Sequence, residues 1–385
     1  MRTATGPLAG VKIVEMAGMG PTPFCAMLLA DMGADIITVA APAGRASEMP
    51  LSFETDPLWR GRTRVEMDLK QRGSVEQVLM LLSHADVLLE GFRPGVMERL
   101  GLGPDAALER NASLVYGRMT GWGQNGPLAM TAGHDPNYLA ITGALHCIGY
   151  PDRPPVPPLN LVGDFGGGAL FLAMGVLAAL LRVRAGDSGQ VVDASIVDGT
   201  LALMGPTYSM RHAGLWSGDR GENLLDGGAP FGRAYETADG RHVMVAAIEP
   251  KFYAALLEGL GLDAASLPSR DEPHHWPELL QRFTAVFLTR SRDEWAQVFE
   301  GRDACVSPVL DLQEAPNHPH NLARRSFTSV HGCPTPGPAP RFSGTPSETA
   351  PVRAEPLDDA LRAWGLSESD RRSLAAATIQ KRSVS

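Results

Sequence analysis

Short apolar runs alternate with longer helical segments along the first 200 residues of the chain. The runs predicted as strands are residues 11–16, 35–40, 64–69, 86–90, 113–119 and 190–195. The segments predicted as helices are residues 21–32, 74–82, 166–184 and 196–210. Strands and helices in alternation are typical of a parallel sheet with helices on both faces. We therefore predict an α/β fold for this part of the chain.

A different order of elements follows residue 200. Residues 231–247 predict a hairpin that turns at Asp239-Gly240, and helices are predicted over 251–261, 276–288 and 293–299. This β-then-α order indicates a second, smaller α+β domain, placed at 225–325 after a linker over 201–224. Residues 326–356 contain seven prolines and predict an extended connector. One more helical region is predicted near 358–377.

Composition and charge narrow the class of protein. The chain has 385 residues, of which 44% are apolar and 20% charged, as in globular proteins. Its formal net charge of -9 argues against nucleic acid as a partner. The four cysteines lack disulfide or zinc-ligand spacing, which predicts a cytoplasmic protein. The longest uncharged stretch, 165–181, is short of the roughly 20 residues that span a bilayer, so we interpret it as a buried helix and expect no membrane partner.

Two turns that follow predicted strands are candidates for anion binding. Residues 18–23 (GMGPTP) lack the third glycine of a dinucleotide-binding loop, and no acidic residue closes the second strand. We interpret them as a tight turn whose N–H groups could face a phosphate. Arg93 follows the strand that ends at Glu90, and Arg99 lies further along. Either arginine could bind an anionic group through its guanidinium fork, or it could form surface salt bridges instead.

A histidine precedes a predicted helix in Gly133-His134-Asp135-Pro136-Asn137-Tyr138. Asp135 is the expected N-cap, with Pro136 at the first helical position. The positive end of a helix favours a neutral imidazole, the form that a general base needs. The Asp135 N–H could then hold a developing oxyanion. The alternative is an ordinary capping motif with an incidental histidine.

Two carboxylates stand at other predicted helix starts. Asp164 meets a glycine run that opens the long apolar helix, where the dipole is expected to keep it ionised. An ionised carboxylate can act as a base or as a nucleophile. The alternative is that Asp164 is an ordinary N-cap. Glu249 ends the predicted hairpin and either neighbours an N-cap or orients a histidine. No metal site is predicted, because His274, His275, His318 and His320 lack acidic or cysteine partners at ligand spacing.

Nine motifs run through the chain in order: LAGVKIVEMAG, PFCAMLLADMGAD, DVLLEGFRPGVMERLGLGP, GHDPNYLA, LNLVGDFGGG, GQVVDASIVDG, NLLDGGAP, AIEPKFY and DACVSPVL. They resemble the family III CoA-transferases, and most closely the α-methylacyl-CoA racemase branch. The resemblance covers residues 7–342. It implies a large Rossmann-like CoA-binding domain over 1–200, to which 330–385 return, with the small domain inserted. It also implies an interlocked homodimer.

The resemblance assigns roles to the motif residues. His134 and Asp164 would be bases on opposite sides of the substrate α-carbon, and Glu249 would reach His134 from the partner chain. Asn160 would support Asp164, Tyr138 would support the site, and the Asp135 N–H would hold the thioester oxygen. The residues that would contact coenzyme A are Arg93, Arg99, Met67, Asp68, Leu69, Lys70 and Gly133. Coenzyme A would be part of the acyl-CoA substrate, with no prosthetic group.

His134 separates the two activities that the resemblance allows. The transferases resemble this chain at Asp164, which would be their nucleophile, but they lack the histidine of the GHD motif. Racemisation needs one base on each face of the α-carbon, which His134 and Asp164 together would supply. One departure concerns residues 37–42, where the family commonly carries basic residues and this chain has none. Arg45 could take the place of these basic residues. Their absence is also what supports a third hypothesis, a non-catalytic acyl-CoA binding protein.

Overall fold

The computed structural model describes residues 5–42, 56–217, 219–330, 332–349 and 356–379. The chain divides into two compact units. The first comprises Met1–Thr142, Leu159–Leu203 and Pro319–Ser385, and the second comprises Gly143–Pro158 and Met204–His318. Residues 143–158, expected in the large domain, thus join the second unit. The expected linker 201–224 contains a helix of that unit, Gly205–His212.

The first unit is built on a six-stranded sheet in which every pairing is parallel. Its strands are β1 (Lys12–Met16), β2 (Asp35–Ala40), β3 (Arg62–Glu66), β4 (Val87–Glu90), β5 (Val115–Thr120) and β6 (Val191–Ser195). The order β3-β2-β1-β4-β5-β6 is that of a doubly wound Rossmann sheet. The predicted α/β class is confirmed.

Helices cover both faces of this sheet. They are α1 (Pro21–Asp31), α2 (Arg72–Leu82), α3 (Val96–Leu100), α4 (Pro104–Arg110), α5 (Asp135–Ile141), a π-helical segment (Leu161–Ala169) that continues as α6 (Leu170–Arg184), and α7 (Ile196–Leu203). Alternate strand residues face opposite cores. Ile13 packs with α1 and α6, whereas Val14 packs with α2 and the C-terminal helices.

The strand predicted over 64–69 begins two residues earlier, at Arg62. Arg62 looks polar in the sequence, yet its side chain is fully buried and donates a hydrogen bond of 3.2 Å to Glu15 Oε2. Its guanidinium also donates to the carbonyl oxygens of Leu58 and Pro23. A buried charge is tolerated when it is paired in this way. A prediction based on polarity alone therefore placed the start of β3 too late.

The apolar segment Leu161–Arg184 is long enough to cross a membrane by length and composition alone. One side of its α6 portion is buried in the core on the sheet, through Leu172, Ala173, Val176, Ala179 and Leu180. The opposite side exposes Leu170, Met174 and Leu181 to solvent. The predicted burial of this helix therefore holds for one face.

The C-terminal part of the chain completes the first unit. It contains α12 (Pro319–Ala323), a hairpin of β10 (Phe327–Val330) and β11 (Cys333–Pro336), α13 (Leu357–Ala363) and α14 (Glu368–Ile379). The connector predicted as extended thus begins with paired strands. Trp364 is buried after α13, and its indole donates to Asp35 Oδ2 at the start of β2. This contact ties the C-terminal helices to the central sheet.

The second unit has a small antiparallel sheet and its own core. Its longer elements are α8 (Gly205–His212), β7 (Ala234–Glu236), β8 (His242–Val245), α9 (Pro250–Leu260), α10 (Trp276–Phe287), α11 (Arg292–Phe299) and β9 (Val306–Pro308). Short 3-10 turns lie at Leu145–Cys147, Ala264–Ser266, Pro273–His275 and Ala315–Asn317. The three strands pair in the order β7-β8-β9. The predicted hairpin, with its turn at Asp239-Gly240, corresponds to β7 and β8.

Two glycines let α7 lie directly against the π-helical segment. A Cβ at Gly199 would stand 1.9 Å from the Gly167 carbonyl oxygen. We expect Gly199→Ala to lower the free energy of unfolding by at least about 2 kcal/mol, because backbone must move to make room. Gly73→Ala, at an exposed position of α2 where a Cβ meets nothing within 4 Å, is the control and should be neutral or stabilising. Thermal unfolding monitored by circular dichroism gives both results, and equal melting temperatures would contradict the packing argument.

Candidate active site

A cavity of about 500 Å³ opens in the first unit at the carboxyl ends of β1 and β4. The chain leaves β1 toward β2 and leaves β4 toward β5, in opposite directions along the sheet. Such a switch point separates the following loops and creates a crevice for ligands. Two of the segments that line it are Met19 to Pro21, where α1 begins, and Gly91 to Pro94. Both were candidates in the sequence.

His134 and Asp164 both line this cavity, together with Asn160, Gly133 and Tyr138. These residues come from the two sequence motifs that precede α5 and α6. The structure therefore brings together an imidazole and a carboxylate that lie 30 positions apart in the chain. Such a pair can remove and return protons within one cavity.

The start of α5 differs from the prediction by one residue. His134, not Asp135, is the N-cap, with φ of -128° and ψ of 173°. The Asn137 side chain accepts the His134 backbone N–H at 3.0 Å, as in a capping box. The expectation that Asp135 caps α5 is therefore wrong. Its N–H belongs to the first turn, where donors have no acceptor within the helix.

Asp135 instead turns its side chain toward the Asp164 segment. Its Oδ2 accepts the backbone N–H of Asp164 at 2.7 Å, and the Gly163 backbone also lies next to the carboxylate. The Asp135 side chain is buried, and burial raises the pKa of its carboxyl above the ordinary value. The two motifs are thus joined by a carboxylate that caps the second helical start.

Asp164 lies in the first turn of the π-helical segment Leu161–Ala169. The turn is wider than an α-turn, since Phe165 N donates to the Asn160 carbonyl five residues earlier, at 3.1 Å. The Phe165 ring stacks on Phe24 of α1 with centroids 4.1 Å apart. Gly20 lies against the carboxylate, because a Cβ there would stand 3.0 Å from Asp164 Oδ2.

The protonation of Asp164 differs from the expectation based on the helix dipole. Burial, aided by the nearby Asp135 carboxylate, raises the pKa of Asp164 to about 6, while His134 acts in the opposite direction. Desolvation disfavours the charged form more than the helix start favours it. A carboxyl that titrates near neutrality is suited to both accepting and donating a proton.

Tyr138 forms part of the wall and supports the backbone around it. Its hydroxyl donates to the Gly133 carbonyl, and its ring packs edge-on against Trp122 at 4.7 Å. A Cβ at Gly121 would stand 2.0 Å from the Tyr138 ring. Burial raises the pKa of the Tyr138 hydroxyl, with a further contribution from Asp164.

Arg93 is the one residue of the predicted coenzyme-binding set, apart from Gly133, that lines the cavity. It is solvent-exposed, and its loop is held by buried Glu90, whose Oε2 accepts the Phe92 N–H at 2.8 Å. Arg118 donates in turn to Glu90 and to Glu98. This ion pair network fixes the loop, so an exposed cation is held at the mouth of the crevice.

The other predicted coenzyme contacts lie outside this cavity. Arg99 is exposed on α3, and residues 68–70 follow the carboxyl end of β3, where Lys70 is exposed. The Met67 side chain is 1% exposed and belongs to the core under the sheet. It cannot contact a ligand without rearrangement of that core. Arg45 lies outside the described residues.

Glu249 belongs to the second unit, where it is the N-cap of α9 and is exposed. Arg270 holds the preceding backbone by donating to the carbonyl oxygens of Ala247 and Ile248. The Arg270 guanidinium itself lies over the rings of Phe231 and Tyr253. The local structure thus presents a carboxylate on a rigid turn, and its pairing with His134 stays a prediction.

Sequence reasoning missed Trp122 and included Thr22 only as part of the turn 18–23; both residues line the cavity. Thr22 is fully buried near Gly91, where a Cβ would stand 2.3 Å from its hydroxyl oxygen. Trp122 follows the carboxyl end of β5. The rule that ligands bind beyond the carboxyl ends of parallel strands, applied to β5 as it was to β4, would have found it.

Known proteins are similar to this chain in both sequence and fold. The chain matches the CoA-transferase family III over residues 8–358. It is 45% identical over 368 residues to the alpha-methylacyl-CoA racemase of Mus musculus, covering 94% of each protein. It is 42% identical over 369 residues to the Homo sapiens protein of that name, again covering 94% of each. The crystal structure of Rv3272 from M. tuberculosis, orthorhombic form, superposes with a TM-score of 0.74 at 26% identity, covering 90% of this chain and 96% of that one.

Proposed function

Because this chain belongs to the CoA-transferase family III, we propose that it is a racemase that interconverts the epimers of 2-methylacyl-CoA thioesters. The observation that carries the proposal is the joint presence of His134 and Asp164 in one cavity. A transferase of this family needs the aspartate alone. A racemase needs a second base, and the histidine supplies it.

The proposed reaction removes the α-proton on one face and returns a proton on the other. One of the two residues, Asp164 or His134, takes the proton while the other, in its protonated form, donates one. Between these steps the negative charge moves to the thioester oxygen, which gives an enolate. A fixed N–H donor stabilises that oxygen, and the Asp135 N–H at the first turn of α5 is the donor we propose.

The coenzyme portion of the substrate positions the reacting carbon. Binding energy from groups remote from the reaction can hold the α-carbon between two bases. Arg93 is the cation that we propose for a phosphate group, because it stands at the mouth of the crevice on a braced loop. Arg99, Lys70 and the backbone of residues 67–69 are proposed for further contacts beyond the carboxyl end of β3.

We propose an interlocked homodimer in which Glu249 of one chain orients His134 of the other. Support comes from apolar side chains left in solvent on the π-helical segment, α6 and α7. Those more than 50% exposed are Leu161, Leu170, Met174 and Leu181. Large apolar side chains grouped on one stretch of helix and left exposed in this way are typical of an interaction site. Analytical ultracentrifugation should give about twice the 41.0 kDa chain mass, and a monomer that retains racemase activity would refute this assembly.

Proton NMR of a single epimer of 2-methylacyl-CoA in D2O tests the proposed activity. With the protein, the α-proton signal should disappear while the second epimer accumulates. The same sample with added succinate tests the second candidate, CoA transfer, in which the Asp164 carboxylate attacks the thioester carbonyl and expels the CoA thiolate. Formation of succinyl-CoA without α-proton exchange would make the protein a transferase.

The pH dependence follows from the raised pKa of Asp164. Both directions of racemisation start from the form in which the Asp164–His134 pair holds one proton. We expect kcat/KM to fall below about pH 6 for either epimer, because the pair then holds two protons and lacks a base. An aspartate with its ordinary pKa would retain activity to a lower pH. Initial rates between pH 4.5 and 8 measure this fall, the acid limb of the pH profile. A plateau of kcat/KM that extends below pH 5 would contradict the assignment of the limb to Asp164.

A further inference from the structure

The Asp135 carboxylate has a place in the site that is separate from its backbone N–H. The residue is 5% exposed, its Oδ2 accepts the Asp164 backbone N–H at 2.7 Å, and the Gly163 backbone also faces the carboxylate. Its Oδ1 is buried with no hydrogen-bond partner among the described residues. A buried carboxylate costs free energy unless its interactions offset the loss of water, so its presence calls for a reason.

The N–H group that Asp135 accepts is a donor of the first turn of the π-helical segment. Asn160 is the N-cap of this segment, so Gly163 and Asp164 are its third and fourth residues. Donors at these positions have no acceptor within their own helix. Asp135 comes from a position 29 residues earlier in the chain and supplies that acceptor. The contact therefore fixes the turn that carries Asp164 relative to the turn that carries His134.

The chain accommodates this contact closely. A Cβ at Gly163 would stand 2.2 Å from Asp135 Oδ2 and 2.8 Å from its Cγ. Only glycine leaves room for the carboxylate to approach the backbone at this residue. On the other side Gly20 lies against the Asp164 carboxylate. The backbone of the turn and the Asp164 side chain are thus each confined by direct contacts.

We propose that the Asp135 side chain is a positioning residue, which clamps the Asp164 turn through the Asp164 backbone N–H and places a second negative charge beside the Asp164 carboxylate. This inference rests on the proposed racemase function and assigns the side chain a role besides the oxyanion contact of its N–H. The charge and the clamp are separable, because an amide retains an acceptor oxygen and lacks the charge.

The charge acts on Asp164 in one direction. A neighbouring negative charge disfavours ionisation, and Asp135 is the second cause, after burial, of the raised pKa of Asp164. The other titratable groups that face Asp164 are His134 and Tyr138, on α5 and its N-cap. Arg93 acts on Tyr138 from the β4 loop. The other elements contact this segment through uncharged residues, which are Phe24 of α1, Met119 of β5 and Thr200 of α7.

Asp135→Asn tests the charge. We expect the acid limb of kcat/KM to move to lower pH by roughly one unit, and equally for both epimers, because Asp164 then ionises more readily. Asp198→Asn is the matched control, since the Asp198 side chain accepts a hydrogen bond from Ser195, the residue that caps α7, and does not line the cavity. It should leave the limb in place. A fall in kcat for Asp135→Asn with an unmoved limb would overturn the electrostatic role.

Hydrogen–deuterium exchange tests the clamp without turnover. Peptides containing Gly163 and Asp164 should stay protected in Asp135→Asn, where an oxygen can still accept, and should exchange at least about tenfold faster in Asp135→Ala, which has lost the acceptor. Unchanged protection in the alanine variant would overturn the clamp. This measurement is independent of the reaction catalysed, so it stands or fails separately from the proposed racemase activity.

Discussion

Asp164→Asn is expected to lower the rate of racemisation by about 10²- to 10⁴-fold, which is the typical cost of losing a positioned general base or acid. The substitution keeps the side-chain size beside Gly20 and the Phe24–Phe165 stack. An amide can neither take the α-proton nor return one. The loss should appear in both directions, because Asp164 is the base in one and the acid in the other. Initial rates with each epimer measure it.

Two features make this experiment decisive for the role of Asp164. The raised pKa of the carboxyl, to about 6, predicts that the wild-type rate depends on Asp164 ionisation in the assayed range. Melting temperature and coenzyme A affinity should remain close to those of the wild type, as the polar contact to Asp135 uses the backbone N–H of residue 164. Near-normal racemisation by a folded Asp164→Asn protein would remove this residue from the mechanism.

His134→Ala is expected to separate the two epimers. Asp164 can still remove the α-proton from the epimer that faces it and return a deuteron to the same face. We therefore expect α-proton exchange in D2O to persist for one epimer and to fall by about 10² to 10⁴ for the other. Inversion should be lost for both, because no acid remains on the second face. Proton NMR of each epimer, combined with chiral analysis of the product, distinguishes exchange from inversion.

The control for this variant is His146→Ala, which removes an exposed histidine of the second unit. It should exchange and invert both epimers at the wild-type rate. Equal loss of exchange from the two epimers in His134→Ala would contradict a two-base site. It would indicate instead that His134 acts on substrate placement, and KM would then change more than kcat.

The local hydrophobic pattern was sufficient to predict those strands and helices that depend only on their own stretch of chain. The apolar runs of the first 200 residues predicted all six strands of the parallel sheet, and five of them lie within two residues of their observed bounds at both ends. The exception is β3, which ends three residues before the predicted end and begins two residues before the predicted start. The start was missed because Arg62 and Thr63 are polar residues that are buried. Pairing with Glu15 of β1 makes that burial possible, and no feature of residues 62–69 alone signals it.

The sequence motifs also predicted the family and most of the residues that form the site. The local pattern of residues 133–138 and 159–168 made His134, Asp135 and Asp164 candidates beside an ordinary capping alternative, and the family resemblance added Asn160. Their shared cavity follows from the strand order, because motifs that succeed parallel strands collect at one edge of the sheet. Family resemblance supplied the proposed reaction.

Tertiary structure alone decided how the two motifs act on each other. The helix-start pattern assigned Asp135 to cap α5 and an ionised state to Asp164, and both expectations failed. Asp135 caps the other helical segment, 29 residues away, and together with burial it raises the pKa of Asp164. The sequence by itself determined which ionisable groups the site contains, since their identities are local. Their proton affinities depend on distances and desolvation, which exist only once the chain has folded.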